Sequence, residues 1–291
     1  MARVMANGVD HHVQRLPAAG AGPHGADPPA VVLVHGAFID SLASYYFTLG
    51  PEFAAAGCDA VMYDLRGHGR SARPERGYTV ADFTADLAAL LDALRLPGPV
   101  HLVGNSFGGT VALDFAVHHP ERVAGLTVVE SGPATREWAA TMAAALRTAT
   151  ETLPEEEALN WFVEQYGTVS STRRGDPRHD AHVRRLGRAA ARLIRTTGIA
   201  REIHTGRALT DAQLAALRCP VLLINGQDGL VGAESDRLSA LLPDCRVAVV
   251  PGHKHSVLVE AADQVSELAL HFIAAAPRGT PSPDSAEGDP K

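Results

Sequence analysis

Residues 99–119, PVHLVGNSFGGTVALDFAVHH, constrain this chain more than any other stretch. A short β-branched run, Val100 to Val103, leads into Gly104-Asn105-Ser106-Phe107-Gly108-Gly109. A helical apolar pattern (Val111, Leu113, Phe115, Ala116) follows at once. Strand, G-x-S-x-G, helix is the context in which a serine sits on a sharp turn, the nucleophile elbow. A residue at the apex of such a turn holds a strained backbone and draws its neighbours together. Side chains at 104 and 108 would collide, so glycine is required there. The hydroxyl is then exposed at a helix N-terminus, where N–H groups and the helix dipole favour developing negative charge.

The rest of the chain alternates strand and helix around this point. Residues 3–16 alternate about Asn7-Gly8, a dipeptide suited to a type I′ hairpin. A Gly/Pro loop, 17–30, follows. Val31 to His35 is a continuous apolar run, as expected of a strand buried on both faces. The pattern predicts helix at 42–56, strand at Ala60–Asp64, helix at 79–95, strand at 99–104, helix at 107–118 and strand at Val123–Glu130. After a helical stretch it resumes with strand Val221–Asn225, helix 233–241, strand Arg246–Val250 and a last helix near 260–275. Such alternation implies an α/β fold, a mostly parallel central sheet with helices on both faces. Residues 131–215 interrupt it with helix formers, Trp138 and Trp161, and no convincing strand. They read as a helical cap over the carboxyl ends of the strands, where ligands bind in open α/β sheets. The core is then 1–130 with 216–276, and the Pro/Gly/Ser-rich tail, 277–291, is expected to be disordered.

Composition narrows the function. A chain of 291 residues accommodates one large α/β domain with an insertion. A net charge of −7 argues against nucleic acid and anionic membrane as partners. Cys58, Cys219 and Cys245 are odd in number and without paired spacing, as in a reduced cytoplasmic protein rather than a disulfide framework or zinc site. The opening MARVMANGVDHH lacks a signal-peptide apolar run, and no segment offers about 18 uninterrupted apolar residues. The expected location is the cytoplasm.

A serine hydroxyl needs a base, and the base an orienting acid. The loop PGHKHSVLVE, 251–260, follows the last strand and offers His253 and His255, between which sheet geometry does not choose. A metal held by these two is disfavoured, since no carboxylate or cysteine lies near enough in sequence to suggest a third ligand. No metal or cofactor is expected.

The chain resembles the α/β-hydrolase superfamily over about residues 4 to 275, in the branch of capped esterases, C–C hydrolases and haloperoxidase-like enzymes. The resemblance rests on His35-Gly36-Ala37-Phe38, on Tyr63-Asp64-Leu65-Arg66-Gly67-His68-Gly69-Arg70-Ser71 and on the Ser106 elbow. Asn225-Gly226-Gln227-Asp228 and the late histidine loop complete it. It implies the order Ser, Asp, His. Family members commonly carry a glutamate five residues after the catalytic histidine. Glu260 is five after His255, which selects His255 as base, with His253 the alternative. Asp228 is the implied acid; some relatives carry it after the preceding strand, where Glu130 sits, so Glu130 is the alternative. Asp64 belongs to a structural turn in the resemblance, and His35 and His68 are expected to hold loops by hydrogen bonds. The oxyanion hole implied is the N–H of Phe107 with that of Ala37. Phe38, Tyr45 and Tyr46 are candidates for an acyl pocket, with core packing as their other role, and Trp138 and Trp161 are further substrate-lining candidates.

The implied chemistry is acyl transfer from a carboxylic ester or thioester of a small to medium molecule. Serine at the elbow argues against the relatives that use aspartate there. Alternatives are C–C bond hydrolysis, a lyase or acyltransferase step in natural-product assembly, perhydrolysis, and a binding receptor that retains the triad. C–C hydrolysis ranks second because Ala37-Phe38-Ile39-Asp40 is not glycine-rich and Ser256 is not aromatic. One further pattern lies in the insertion. A helix over 181–196 would carry Val183, Leu186, Ala190, Leu193 and Ile194 on one face, with Arg184, Arg185, Arg188, Arg192 and Arg195 opposite. The bland account is a solvated face. The sharper one is docking of an anionic partner, an acyl carrier protein or a coenzyme A thioester.

Overall fold

The computed structural model describes residues 2–20, 28–152 and 177–275. Eight strands form one sheet: β1 Ala2–Ala6, β2 Val9–Leu16, β3 Ala30–Val34, β4 Asp59–Tyr63, β5 Val100–Asn105, β6 Val123–Val129, β7 Val221–Gly226 and β8 Cys245–Val250. Their order is β1-β2-β4-β3-β5-β6-β7-β8. The β1–β2 hairpin turns on Asn7 (φ 46°) and Gly8 (φ 72°), both in the left-handed region that a type I′ turn needs. β2 runs antiparallel to β4, and every pair from β4 to β8 is parallel.

The strands owe their apolar composition to cores on both faces. In β3, Val32 and Val34 pack into the cluster beneath α3 (Val80–Ala93) and α4 (Phe107–His118). Val31 and Leu33 pack into the opposite cluster, with Phe53 and Phe272. Phe53 lies on α2 (Leu49–Ala55) and Phe272 on α11 (Ala262–Ala275). Helix α3 starts at a reciprocal cap in which Thr79 accepts from the Asp82 N–H and Asp82 accepts from the Thr79 N–H.

One predicted element divides. Instead of one helix over 42–56, α1 (Ala43–Tyr46) and α2 are separated at Thr48, whose φ and ψ of −127° and −99° break the ladder. Pro51 explains the division: in a continuous helix its ring would clash with the carbonyl of residue 47, whereas in the first turn of α2 its missing N–H costs nothing.

The segment between β6 and β7 contributes α5 (Arg136–Arg147), α6 (Pro177–Thr196), α7 (Ile199–Glu202) and α8 (Asp211–Ala215) among the described residues. It is tied to the core. Glu202 accepts from the N–H groups of Gly77 and Tyr78 at 2.7 and 2.9 Å, and Arg207 pairs with the buried Asp114 of α4. Trp161 and the tail 277–291 lie outside the described residues. Two more helices, α9 (Gly232–Leu241) and the short α10 (Val257–Glu260), flank β8.

Candidate active site

Ser106 stands between β5 and α4 with φ 50° and ψ −125°. Its neighbours leave no room for side chains. A Cβ on Gly104 would fall 2.5 Å from the Gly108 carbonyl oxygen, and one on Gly108 would fall 2.0 Å from that of Val34. The strain collects here. Of five non-glycine residues with positive φ among the described residues, Phe38, Ser106 and Glu130 all border this site.

His255 bridges Ser106 and Glu130. Its Nε2 lies 3.1 Å from Ser106 Oγ and its Nδ1 lies 3.1 Å from Glu130 Oε2. With a carboxylate facing Nδ1, that nitrogen carries the ring proton and Nε2 is free to accept from the serine hydroxyl. Glu130 is itself held: Oε1 accepts from the Gly226 N–H at 2.7 Å and Oε2 from the Leu230 N–H at 3.3 Å. Its carboxylate is fully buried, and each of those donors offsets part of the cost of burying the charge. Gly229 makes space for it, since a Cβ there would lie 2.0 Å from Oε1.

The N–H of Phe107 directly follows Ser106 at the start of α4. The first turn of a helix leaves its N–H groups without intrahelical partners. In α4 the N–H groups of Gly109 and Thr110 return to the Ser106 carbonyl, and Phe107 keeps its own free among the described residues. Ala37 lies on a turn fixed from two sides. Asp40 Oδ2 accepts from the Gly36 N–H at 2.7 Å, and His68 Nε2 accepts from the Phe38 N–H at 2.8 Å. Burial, aided by the neighbouring His35, pushes the His68 imidazole down to about 3, so it stays neutral as that bond requires. Its Nδ1–H donates to the Arg66 carbonyl at 2.8 Å. His35 works alike, accepting from the Leu65 N–H at 3.0 Å and donating to the Gly36 carbonyl at 2.6 Å.

A family model described as the alpha/beta hydrolase fold matches residues 29–262. The chain belongs to the α/β-hydrolase family. The chain is 41% identical over 81 residues to a non-heme chloroperoxidase of Streptomyces lividans, a match covering 28% of this chain and 29% of that one. It is 30% identical over 272 residues to the dihydrolipoyllysine-residue acetyltransferase component of an acetoin cleaving system of Pseudomonas putida, covering 87% of this chain and 65% of that one. Three of the curated relatives are matched over only 29% to 40% of their own length. Among solved structures, an N-acyl homoserine lactone degrading enzyme superposes with a TM-score of 0.70 at 25% identity, covering 93% of this chain and all of that one.

The remaining sequence expectations sort by reach. Asp228, the acid expected from the resemblance, does not face His255. It is exposed, and its N–H bonds the His253 carbonyl at 3.0 Å, so Glu130 one strand earlier holds the position. His253 instead places its Nδ1 3.6 Å from Glu260. Asp64 is structural: it accepts from the N–H groups of Leu42 and Arg70 and pairs with His12 at 2.8 Å. Tyr45 is not at an acyl pocket, being wholly buried with its hydroxyl donating to the carbonyls of Val34 and Val103. Tyr46 faces a different cleft. Trp138 of α5 stacks on Phe107 at 6.2 Å and 19°, which brings the insertion against the residue after the serine. Phe38 is half-buried against the same core cluster. Asp40 and Gly229 were not among the residues expected at the site. The only trace of either was Asp40 ending the Ala37-Phe38-Ile39 run.

Proposed function

We propose that this α/β-hydrolase cleaves carboxylic esters or thioesters of small to medium organic molecules through an acyl-enzyme on Ser106. The observation that carries this is the His255 imidazole, bonded on one nitrogen to Ser106 and on the other to buried Glu130. As Ser106 Oγ attacks the carbonyl carbon, His255 Nε2 takes the hydroxyl proton, and Glu130 steadies the resulting imidazolium. Charge on the carbonyl oxygen is received by the N–H groups of Phe107 and Ala37; loss of one such donor costs about 3–4 kcal/mol. The imidazolium then gives its proton to the departing alcohol or thiol. Water, deprotonated by His255, releases the acid and restores the serine. Every step uses groups of this chain. Residues 131–215 serve as the cap that shapes the substrate pocket, with Trp138 stacked on Phe107, and Phe38 follows Ala37 on the core side.

A fluorophosphonate probe with p-nitrophenyl butyrate turnover tests the assignment. Wild type should label and turn over, and Ser106→Ala should do neither. A wild type that neither labels nor hydrolyses esters of any chain length would overturn the proposal in favour of a binding role.

A further inference from the structure

Helix α6 presents Arg184, Arg185, Arg188, Arg192 and Arg195, all exposed, opposite the buried Ala190 and Leu193. At 100° per residue the five guanidinium groups share an arc of about 100°. The apolar seam is anchored: Leu193 Cδ1 sits 2.8 Å from where a Cβ on Gly67 would be. Gly67 adjoins His68, which holds the Ala37–Phe38 turn, so α6 is seated beside the oxyanion donors with its arginines turned outward. Arg184, Arg188 and Arg192 have no ion pair or side-chain hydrogen bond among the described residues. They form a row about 12 Å long. The chain as a whole carries −7, so this surplus runs against the overall charge.

Next to this row lies a cleft of about 630 Å³. Arg185 and Arg70 are on its rim, and Leu42, Ala43, Tyr46 and Phe47 form part of its wall. Phe47 is 79% exposed and meets Tyr46 edge-on at 5.2 Å. An exposed aromatic anchor beside cationic residues has the composition of a protein-docking footprint.

We infer that this face docks an acidic protein that presents its acyl group as a thioester on a flexible arm. The inference rests on the proposed function of Ser106. A line of cations matches a line of carboxylates on a partner helix, whereas a single phosphate calls for donors converging on one point. An apolar partner residue fills the Tyr46–Phe47 cleft. In the reaction the Ser106 Oγ–C bond forms and the C–S bond breaks. The thiol leaves with the proton that His255 took from Ser106, and water then hydrolyses the serine ester to free acid.

The test compares a hexanoyl-loaded acyl carrier protein, hexanoyl-CoA and p-nitrophenyl hexanoate as substrates of wild type and an Arg184→Glu, Arg188→Glu, Arg192→Glu variant. Docking predicts a loss of at least about 30-fold in kcat/KM on the carrier substrate, mostly in KM and relieved in relative terms by salt. Rates on the other two substrates should stay within about twofold. A triple Arg→Gln variant should lose less than the Glu variant, and covers the case in which the latter folds poorly. Three results overturn the inference: unchanged carrier kinetics, equal loss on all three substrates, or equal loss on carrier and hexanoyl-CoA. Wild type that hydrolyses the ester but not the carrier substrate also overturns it. Fluorescence anisotropy of labelled carrier with Ser106→Ala protein reads docking without turnover. Absent ester hydrolysis with intact binding would therefore count against the Ser106 chemistry alone.

Discussion

Glu130→Gln separates the two candidate acids. In wild type, Glu130 meets three donors: His255 Nδ1 at 3.1 Å, the Gly226 N–H at 2.7 Å and the Leu230 N–H at 3.3 Å. A glutamine there has one acceptor and one donor end. With its NH2 toward His255, the imidazole must move its proton to Nε2 and can no longer accept from Ser106. With its oxygen toward His255, the NH2 confronts the Gly226 N–H, a buried donor–donor contact costing about 1–3 kcal/mol. In both orientations the imidazolium loses its counter-charge. The analogous change in the serine-protease triad lowers kcat about 10⁴-fold, so Glu130→Gln should lose about 10³ to 10⁴, or about 4–5.5 kcal/mol of transition-state stabilisation. Asp228→Asn, at an exposed side chain, should change kcat/KM less than about threefold. Steady-state hydrolysis of p-nitrophenyl butyrate measures both, with urea midpoints to exclude unfolding. A near-normal Glu130→Gln beside an Asp228→Asn crippled by about 100-fold or more would refute the geometric argument.

Two further outcomes concern the scaffold. Gly108→Ala places a methyl group 2.0 Å from the Val34 carbonyl oxygen and should cost about 3 kcal/mol or more in urea unfolding, while Gly98→Ala, in open space, should cost less than about 1. Equal costs would mean that α4 does not press on β3 as described. Burial lowers the His101 imidazole to about 4, and its Nδ1 has no hydrogen-bond partner among the described residues. Below the ordinary value of about 6.5 the unfolded chain therefore takes up a proton that the folded chain refuses. The contribution is whole above about 6.5 and fades as pH falls toward about 4. His101→Leu should accordingly gain about 2 kcal/mol relative to wild type between pH 7 and pH 5, and identical pH slopes for the two proteins would contradict this.

What the sequence discloses depends on whether the cause is local. The elbow is legible because Gly104 presses on Gly108 and Gly109 within three residues of Ser106, although Gly108 itself is held to glycine by Val34 of another strand. The strands are legible because burial on two faces writes itself as apolar runs such as Val31–Val34. Pro51 also carried a local signal, and the helix it divides is one that apolar spacing alone joins. The acid is different. Glu130 and Asp228 both follow parallel strands, and chain position alone does not reveal which carboxylate reaches the imidazole. The outcome turns on Glu130's left-handed backbone (φ 47°) and on the absence of a side chain at Gly229, almost a hundred residues away. Likewise Arg66 belongs to a readable motif, but its partners Asp86 and the Gly77 carbonyl lie 20 and 11 residues further on. Non-local contacts of this kind have no spacing to read.

The insertion leaves the sheet at the carboxyl end of β6 and returns at the amino end of β7, its parallel neighbour, where Val221 lies opposite Leu126. Its two ends are therefore held at a fixed spacing, about 10 Å along the strands, by hydrogen bonds that the sheet makes in any case. The entropy of closing a loop grows only with the logarithm of its length, about 0.6 kcal/mol for each doubling. A sheet built this way tolerates a long or a short excursion at that point at nearly equal stability. The sequence between β6 and β7 is thus free to vary in size while the strands that carry the serine, the histidine and the glutamate stay as they are.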